Sequence, residues 1–103
     1  MKKIVVFASG SGSNFQTIVD QLHQKTCEVA LLVCDQPGAY CLERAKQLNI
    51  PTFTFNPKNY ETKADFEKEI CEQLEAIKPS LIVLAGYMRI VGDTLLAAYE
   101  GKI

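Results

Sequence analysis

Short apolar runs alternate with amphipathic stretches along the chain. Three runs are apolar at every position, which is typical of parallel strands buried on both faces: 4–8, 29–33 and 81–85. A fourth run, 51–55, alternates apolar with polar residues and begins with a proline. Because proline cannot donate to a strand ladder, we expect this run at a sheet edge. The alternation of runs and amphipathic stretches predicts successive βαβ units and a mainly parallel sheet.

The amphipathic stretches predict helices with one apolar face each. The third helix has the clearest limits, because Thr62 and Asp65 stand in capping-box positions before it and Pro79 stops it. A short last helix is predicted with Asp93 as its cap and its end at Gly101. The predicted buried faces are Phe15, Ile18, Val19 and Leu22 in the first helix, Cys41, Leu42, Ala45 and Leu48 in the second, and Phe66, Ile70, Leu74 and Ile77 in the third.

The order of these elements predicts an α/β fold, a Rossmann-like doubly wound parallel sheet. Right-handed crossovers place the second and third strands on one side of the first strand, and the fourth strand on its other side. The predicted strand order is therefore 3-2-1-4. The topological switch point lies between the first and fourth strands, so segments 9–14 and 86–91 should open into one ligand crevice.

The loop at 9–14 reads SGSGSN, follows a buried strand and opens an amphipathic helix. Its backbone N–H groups and the helix dipole suit an anion, most naturally a phosphate. A plain flexible turn is the alternative. A dinucleotide-binding motif fits Gly10, Gly12 and an acid at Asp35, but Phe15 occupies its third glycine position. A nucleoside triphosphate loop fails, because no lysine follows Gly12.

Composition agrees with a globular core. The chain has 103 residues, of which 48% are hydrophobic and 22% are charged. Its 11 basic and 12 acidic residues leave a net charge of −1, which argues against a nucleic-acid partner. The apolar runs are far shorter than the roughly 20 residues of a membrane-spanning helix, and no signal-peptide core precedes them. We therefore expect a soluble, cytoplasmic protein with no nucleic-acid or membrane partner.

The cysteines and the histidine offer no metal site. The spacing of Cys27, Cys34, Cys41 and Cys71 matches no zinc or thioredoxin motif. We expect four reduced thiols that behave as small hydrophobic residues, and no metal cofactor. His23 lies beside the apolar face of the first helix, and we expect it to be solvated and without a catalytic role.

The segment 84–91, which leaves the fourth predicted strand opposite the glycine-rich loop, reads LAGYMRIV. Together with SGSGSN at 9–14 and LERA at 42–45, it resembles the phosphoribosylglycinamide formyltransferase family, the folate-dependent formyl-transfer enzymes of purine biosynthesis. The motifs agree in order and spacing over essentially the whole chain. The resemblance implies formyl transfer from 10-formyltetrahydrofolate to glycinamide ribonucleotide.

The resemblance also implies binding residues for both substrates. Some family members have arginine in place of Lys63, so this chain keeps the charge there but not the bidentate geometry. A solvated cation at Lys63 and a structural ion pair at Arg89 are the alternatives. The matching positions are Gly12, Ser13 and Asn14 for the phosphate end of glycinamide ribonucleotide, and Lys63, Met88, Arg89, Ile90 and Val91 for the folate.

Other functions remain open at this point. One is another formyl-folate enzyme, such as a formyltetrahydrofolate deformylase or a tRNA formyltransferase. A second is a nucleotide-binding module of Rossmann type with no catalysis of its own. The compact loop favours a small phosphorylated substrate, and the nearly neutral charge disfavours tRNA.

The catalytic groups that the resemblance implies are an Asn, a His and an Asp, and all would lie beyond Ile103. We therefore expect 1–103 to form the N-terminal substrate-binding half of a formyltransferase domain, with the C-terminal catalytic half absent. No catalytic residue is expected in this chain, which should be inactive alone. Its fourth strand would form an uncovered apolar edge, which favours self-association.

Overall fold

The structure is a computed structural model that describes residues 1–103. It contains one four-stranded parallel sheet with the order β3-β2-β1-β4, so the predicted α/β fold and strand order are confirmed. A short 3₁₀ turn at Pro57–Asn59 was not predicted. The elements in chain order are β1 (Lys2–Ala8), α1 (Ser13–Leu22), β2 (Cys27–Cys34), α2 (Tyr40–Gln47), β3 (Thr52–Thr54), α3 (Lys63–Ile77), β4 (Leu81–Leu84) and α4 (Asp93–Tyr99).

Strand β1 lies at the centre of the sheet and is buried on both faces, as its unbroken apolar run predicts. Its side chains alternate between two separate cores. Val6 and Ala8 join the core under α1 and α2, whereas Val5 and Phe7 join the core under α3 and α4. The two cores fix both helix layers, and thereby the loops that leave the carboxyl ends of the strands.

Helix α3 begins and ends as predicted. The Thr62 hydroxyl accepts the Asp65 N–H at 3.3 Å, and the Asp65 carboxylate accepts the Thr62 N–H at 3.3 Å, which completes a capping box. Lys78 adopts a left-handed conformation at the carboxyl end, just before Pro79. This helix carries two side chains that matter at the site described below.

Some predicted details are wrong. Leu22, assigned to the buried face of α1, is exposed, and α2 ends at Gln47, so that Leu48 lies at its C-cap. Helix α4 begins with Asp93 and has Gly92 as its N-cap. Periodicity indicates the face on which a residue lies, but it does not indicate whether a neighbouring element covers that part of the face.

His23 is only partly solvated, which corrects the expectation from the sequence. It follows α1, where the chain turns back into β2, and its Nδ1 atom accepts the Val29 N–H at 2.9 Å. The side chain is half-buried and holds the start of β2. Its role is therefore structural, and it remains far from the carboxyl ends of the strands.

The outer edge of β4 is largely uncovered. Leu81 and Leu84 are exposed on this strand, whereas Ile82 is buried. The Ile82 N–H donates to the Lys102 carbonyl at 2.6 Å, so the end of the chain runs back along this edge. None of the helices has the length and apolar character needed to cross a membrane.

Candidate functional site at the carboxyl ends of the strands

The glycine-rich loop presents unused backbone donors at the start of α1. Gly12 is the N-cap, with φ 81° and ψ 21°, and no side chain caps this end. The first helical hydrogen bond joins the Gln16 N–H to the Gly12 carbonyl at 2.8 Å. Within the chain, no hydrogen bond uses the N–H groups of Ser13, Asn14 or Phe15. These N–H groups and the helix dipole suit an anion.

Helix α2 holds this loop in place. The Cys41 N–H donates to the Gly10 carbonyl at 3.1 Å, and the Arg44 Nε donates to the Ser11 carbonyl at 2.7 Å. Gly12 packs so closely on α2 that a Cβ atom there would lie 2.6 Å from the Cys41 Cβ. The role of Arg44 was missed in the sequence, although LERA contributed to the resemblance. The sequence did offer one signal for it, because a glycine-rich loop is flexible and needs a contact from another element to hold its shape.

The segment after β4 comes to lie beside the same loop. It turns at Gly86, where φ is 79°, and continues without regular structure to α4. The Met88 N–H donates to the Ser9 Oγ at 2.8 Å, which joins the ends of β1 and β4. Met88 and Ile90 are 78% and 82% exposed, so this segment leaves two large apolar side chains uncovered. This arrangement agrees with the switch point predicted from the strand order.

Arg89 forms an ion pair that ties this segment to β2. Its Nε donates to the Asp35 Oδ2 at 2.9 Å, and the Asp35 side chain is only 1% exposed. The other carboxylate oxygen of Asp35 has no hydrogen-bond partner. The guanidinium of Arg89 is therefore engaged at the end of β2, in line with the structural alternative. Asp35, buried in this pair, is also not free for the ribose of a dinucleotide.

Two clefts adjoin these segments. One, of about 640 Å³, opens over the ends of β1 and β2 and includes Ser9, Gly10, Asp35 and Arg89 in its lining. The other, of about 430 Å³, lies between α3 and the 90–94 segment. Of the predicted residues, Arg89 lines the first cleft, and Lys63, Ile90 and Val91 line the second. The other predicted residues line neither cleft: Gly12, Ser13, Asn14 and Met88.

Two residues of α3 contact the segment that precedes α4. The Lys63 Nζ donates to the Ile90 carbonyl at 2.7 Å. The buried Glu67 carboxylate accepts the Gly92 N–H at 2.7 Å and the Leu95 N–H at 3.2 Å. Glu67 was not predicted from the sequence. The signal was an acidic residue inside the apolar face of a helix, which is costly to bury without a partner.

The two thiols nearest the glycine-rich loop are not activated. Cys34 and Cys41 lie with their Sγ atoms 3.5 Å apart behind the glycine-rich loop. Burial raises the pKa of Cys34 from 9.0 to about 12, and burial also raises the pKa of Cys41. Both thiols therefore stay protonated at neutral pH. All cysteines are free, and no group of three or more His, Cys, Asp or Glu side chains is placed to hold a metal ion.

Comparison with known proteins agrees with this architecture. A phosphoribosylglycinamide formyltransferase of Bacillus subtilis is 57% identical over 105 residues, covering 100% of this chain and 54% of that protein. One of Haemophilus influenzae is 39% identical, covering 100% of this chain and 50% of that protein. The crystal structure of glycinamide ribonucleotide transformylase 1 from Geobacillus kaustophilus superposes with a TM-score of 0.95 at 56% identity, covering 99% of this chain and 55% of that one.

The chain thus spans about half the length of the relatives that it matches. A family model described as formyl transferase matches residues 2–103. Match and superposition both extend over nearly the whole chain, and they confirm the resemblance carried by the loop and by the 84–91 segment. The chain belongs to the formyl transferase family.

Proposed function

We propose that this chain is the N-terminal substrate-binding half of a phosphoribosylglycinamide formyltransferase. That enzyme transfers the formyl group of 10-formyltetrahydrofolate to glycinamide ribonucleotide in purine biosynthesis. The observation that carries the proposal is that two segments come together at the carboxyl ends of β1 and β4. One carries the unused N–H groups at the start of α1, the other is the 88–91 segment, and the bond from Met88 to Ser9 joins them.

The first segment would bind the phosphate of glycinamide ribonucleotide. Gly12 brings the backbone close, and the N–H groups of Ser13 and Asn14 are available as donors. Their exposed side chains add a hydroxyl and an amide. A dianionic phosphate at a helix N-terminus gains both from these charge-assisted hydrogen bonds and from the dipole.

The second segment would bind the pterin of the folate. A pterin is flat, partly apolar and edged with donors and acceptors. The exposed side chains of Met88 and Ile90 can cover its faces, while the backbone near Val91 reads its edge. Lys63, held at the Ile90 carbonyl, has further N–H donors for an anionic part of the folate. Arg89 would act through its backbone, because its side chain is paired with Asp35.

Ligand titration followed by NMR tests this proposal. We expect glycinamide ribonucleotide to shift the amide signals of Ser13 and Asn14, and a stable 10-formylfolate analogue to shift those of 88–91. Asn14→Ala should weaken the binding of glycinamide ribonucleotide roughly tenfold, since a hydrogen bond to a charged group is lost. Asn59→Ala, at an exposed asparagine, is the control. Binding of NAD in preference to both ligands would overturn the proposal.

A dinucleotide-binding module is disfavoured by two features of the molecule. Phe15, in the third glycine position, is fully buried in the core between α1 and the sheet. Asp35, in the position of the ribose-binding acid, is paired with Arg89. We also propose that the catalytic Asn, His and Asp lie outside 1–103. The chain alone should then bind its ligands without turnover.

We further propose that a second copy of the chain packs against the exposed apolar side chains of β4. Leu81 and Leu84 are exposed on this outer strand, whereas the chain end covers part of its backbone through the bond from the Ile82 N–H to the Lys102 carbonyl. Size-exclusion chromatography with light scattering should show a concentration-dependent dimer. Leu84→Lys should make it monomeric, and Leu22→Lys on α1 should not. A monomer at every concentration, with no co-purifying peptide, would contradict this proposal.

A further inference from the structure

The backbone at Val91 has an unused donor and an unused acceptor. No hydrogen bond within the chain involves its N–H or its carbonyl. The residue is half-buried and lies in the irregular stretch between β4 and α4, so no strand or helix fixes its orientation. Buried backbone groups are nearly always paired within a protein, whereas those of a partly exposed residue such as Val91 are available to water or to a ligand. The two groups of Val91 are therefore candidates for a ligand contact.

The two peptide units that flank Val91 are both held by α3. Lys63 holds the Ile90 carbonyl at 2.7 Å, and Glu67 holds the Gly92 N–H at 2.7 Å. All peptide bonds in the chain are trans, so the N–H and C=O of each unit point in opposite directions. The Val91 N–H must then point away from Lys63, and the Val91 carbonyl must point away from Glu67. Each of these two groups therefore points away from the α3 side chain that holds its own peptide unit.

The fit at Gly92 indicates that this approach of α3 is tight. A Cβ atom at Gly92 would lie 2.7 Å from the Lys63 Cδ and 2.9 Å from the Glu67 Oε1. Its φ of −93° is open to any residue, so a larger side chain there would meet the Lys63 and Glu67 side chains rather than strain the backbone. Glu67 uses both carboxylate oxygens, since the second accepts the Leu95 N–H at the start of α4.

We propose that Glu67 and Lys63 are positioning residues that fix the hydrogen-bonding edge of the folate site. By holding the flanking peptide units, they present the Val91 N–H and carbonyl as an adjacent donor and acceptor. This pair selects a ring edge with an acceptor next to a donor, such as the ring nitrogen and amino group of a 2-amino-4-oxo pyrimidine. The inference rests on the proposed function, because it assumes that the 88–91 segment binds the pterin.

The test compares two ligands on the 103-residue chain. One is a 10-formyl quinazoline analogue of folate with the 2-amino-4-oxo edge, and the other is the same compound without the 2-amino group. Wild-type protein should bind the first about tenfold more tightly, since one hydrogen bond distinguishes them. In Glu67→Gln the side-chain amide can no longer accept both N–H groups, and in Lys63→Met the Ile90 carbonyl is released. In both variants the ratio of the affinities for the two ligands should fall towards one.

A merely structural role would lower the affinity for both ligands equally and leave the ratio unchanged. Lys68→Met, at an exposed lysine of the same helix, is the matched control and should keep the wild-type ratio. Binding of glycinamide ribonucleotide should be unaffected in all three variants. This measurement shows that the glycine-rich loop at 9–14 keeps its fold. Lys63 is exposed, so its variant tests the inference even if Glu67→Gln does not fold.

The possible outcomes distinguish the proposed folate site from the proposed positioning role of Glu67 and Lys63. Wild-type protein that binds neither quinazoline contradicts the proposed folate site itself. Wild-type protein that discriminates between them, with an unchanged ratio in Glu67→Gln or Lys63→Met, overturns the positioning role and leaves the proposed function intact.

Discussion

Gly12→Ala should destabilise the protein by about 3 kcal/mol or more, because backbone strain at Gly12 and a steric clash with α2 add to each other. The residue has φ 81°, where a Cβ atom is strained, and the new methyl group would lie 2.6 Å from the Cβ and 2.9 Å from the Cα of Cys41. Helix α2 must move to accommodate it. The midpoint of thermal unfolding should fall by more than about 10 °C in a domain of this size.

The same substitution should abolish phosphate binding, because the loop and the N–H groups of Ser13 and Asn14 move together. Gly38→Ala is the matched control, since a Cβ atom there meets nothing within 4 Å and its φ is not positive. Its effect on stability should stay within about 0.5 kcal/mol. A variant at Gly12 that melts like the wild type and still binds glycinamide ribonucleotide would refute the close approach of α2 to this loop.

The fold could be predicted from the sequence because its rules are local or topological. Unbroken apolar runs mark β1 and β2 as buried on both faces, and right-handed crossovers leave few possible strand orders. The capping box of α3 lies within four consecutive residues, from Thr62 to Asp65, and was therefore visible. The exposure of Leu22 and the bond from His23 to Val29 depend on how elements cover one another, which periodicity does not describe.

The site could be predicted only in its outline. The loop at 9–14 and the segment at 84–91 were located by motif and by the switch point. The contacts that hold them join residues far apart in the sequence, such as Ser9 and Met88, which are separated by 79 positions. Glu67 lies between Phe66 and Ile70 on a buried face, and the need to compensate its charge was the one signal that sequence reasoning could have used.

Arg89→Met should be strongly destabilising through the carboxylate that it leaves behind. Asp35 has a side chain only 1% exposed, and Arg89 supplies the only hydrogen bond to its Oδ2. Its Oδ1 is already without a partner. Removing the guanidinium leaves a buried, uncompensated charge, which should cost about 2–4 kcal/mol at pH 7, somewhat less than for a fully buried pair because Arg89 is partly exposed. Urea unfolding measures this difference.

The double variant Arg89→Met with Asp35→Asn separates charge from packing. The neutral amide removes the unpaired charge that Arg89→Met leaves at Asp35, so most of the lost stability should return. A loss of stability that Asp35→Asn does not relieve would mean that Arg89 stabilises the segment through its aliphatic chain. In that case the tie between β2 and the proposed pterin segment would be a packing contact, and Asp35 would have no part in positioning it.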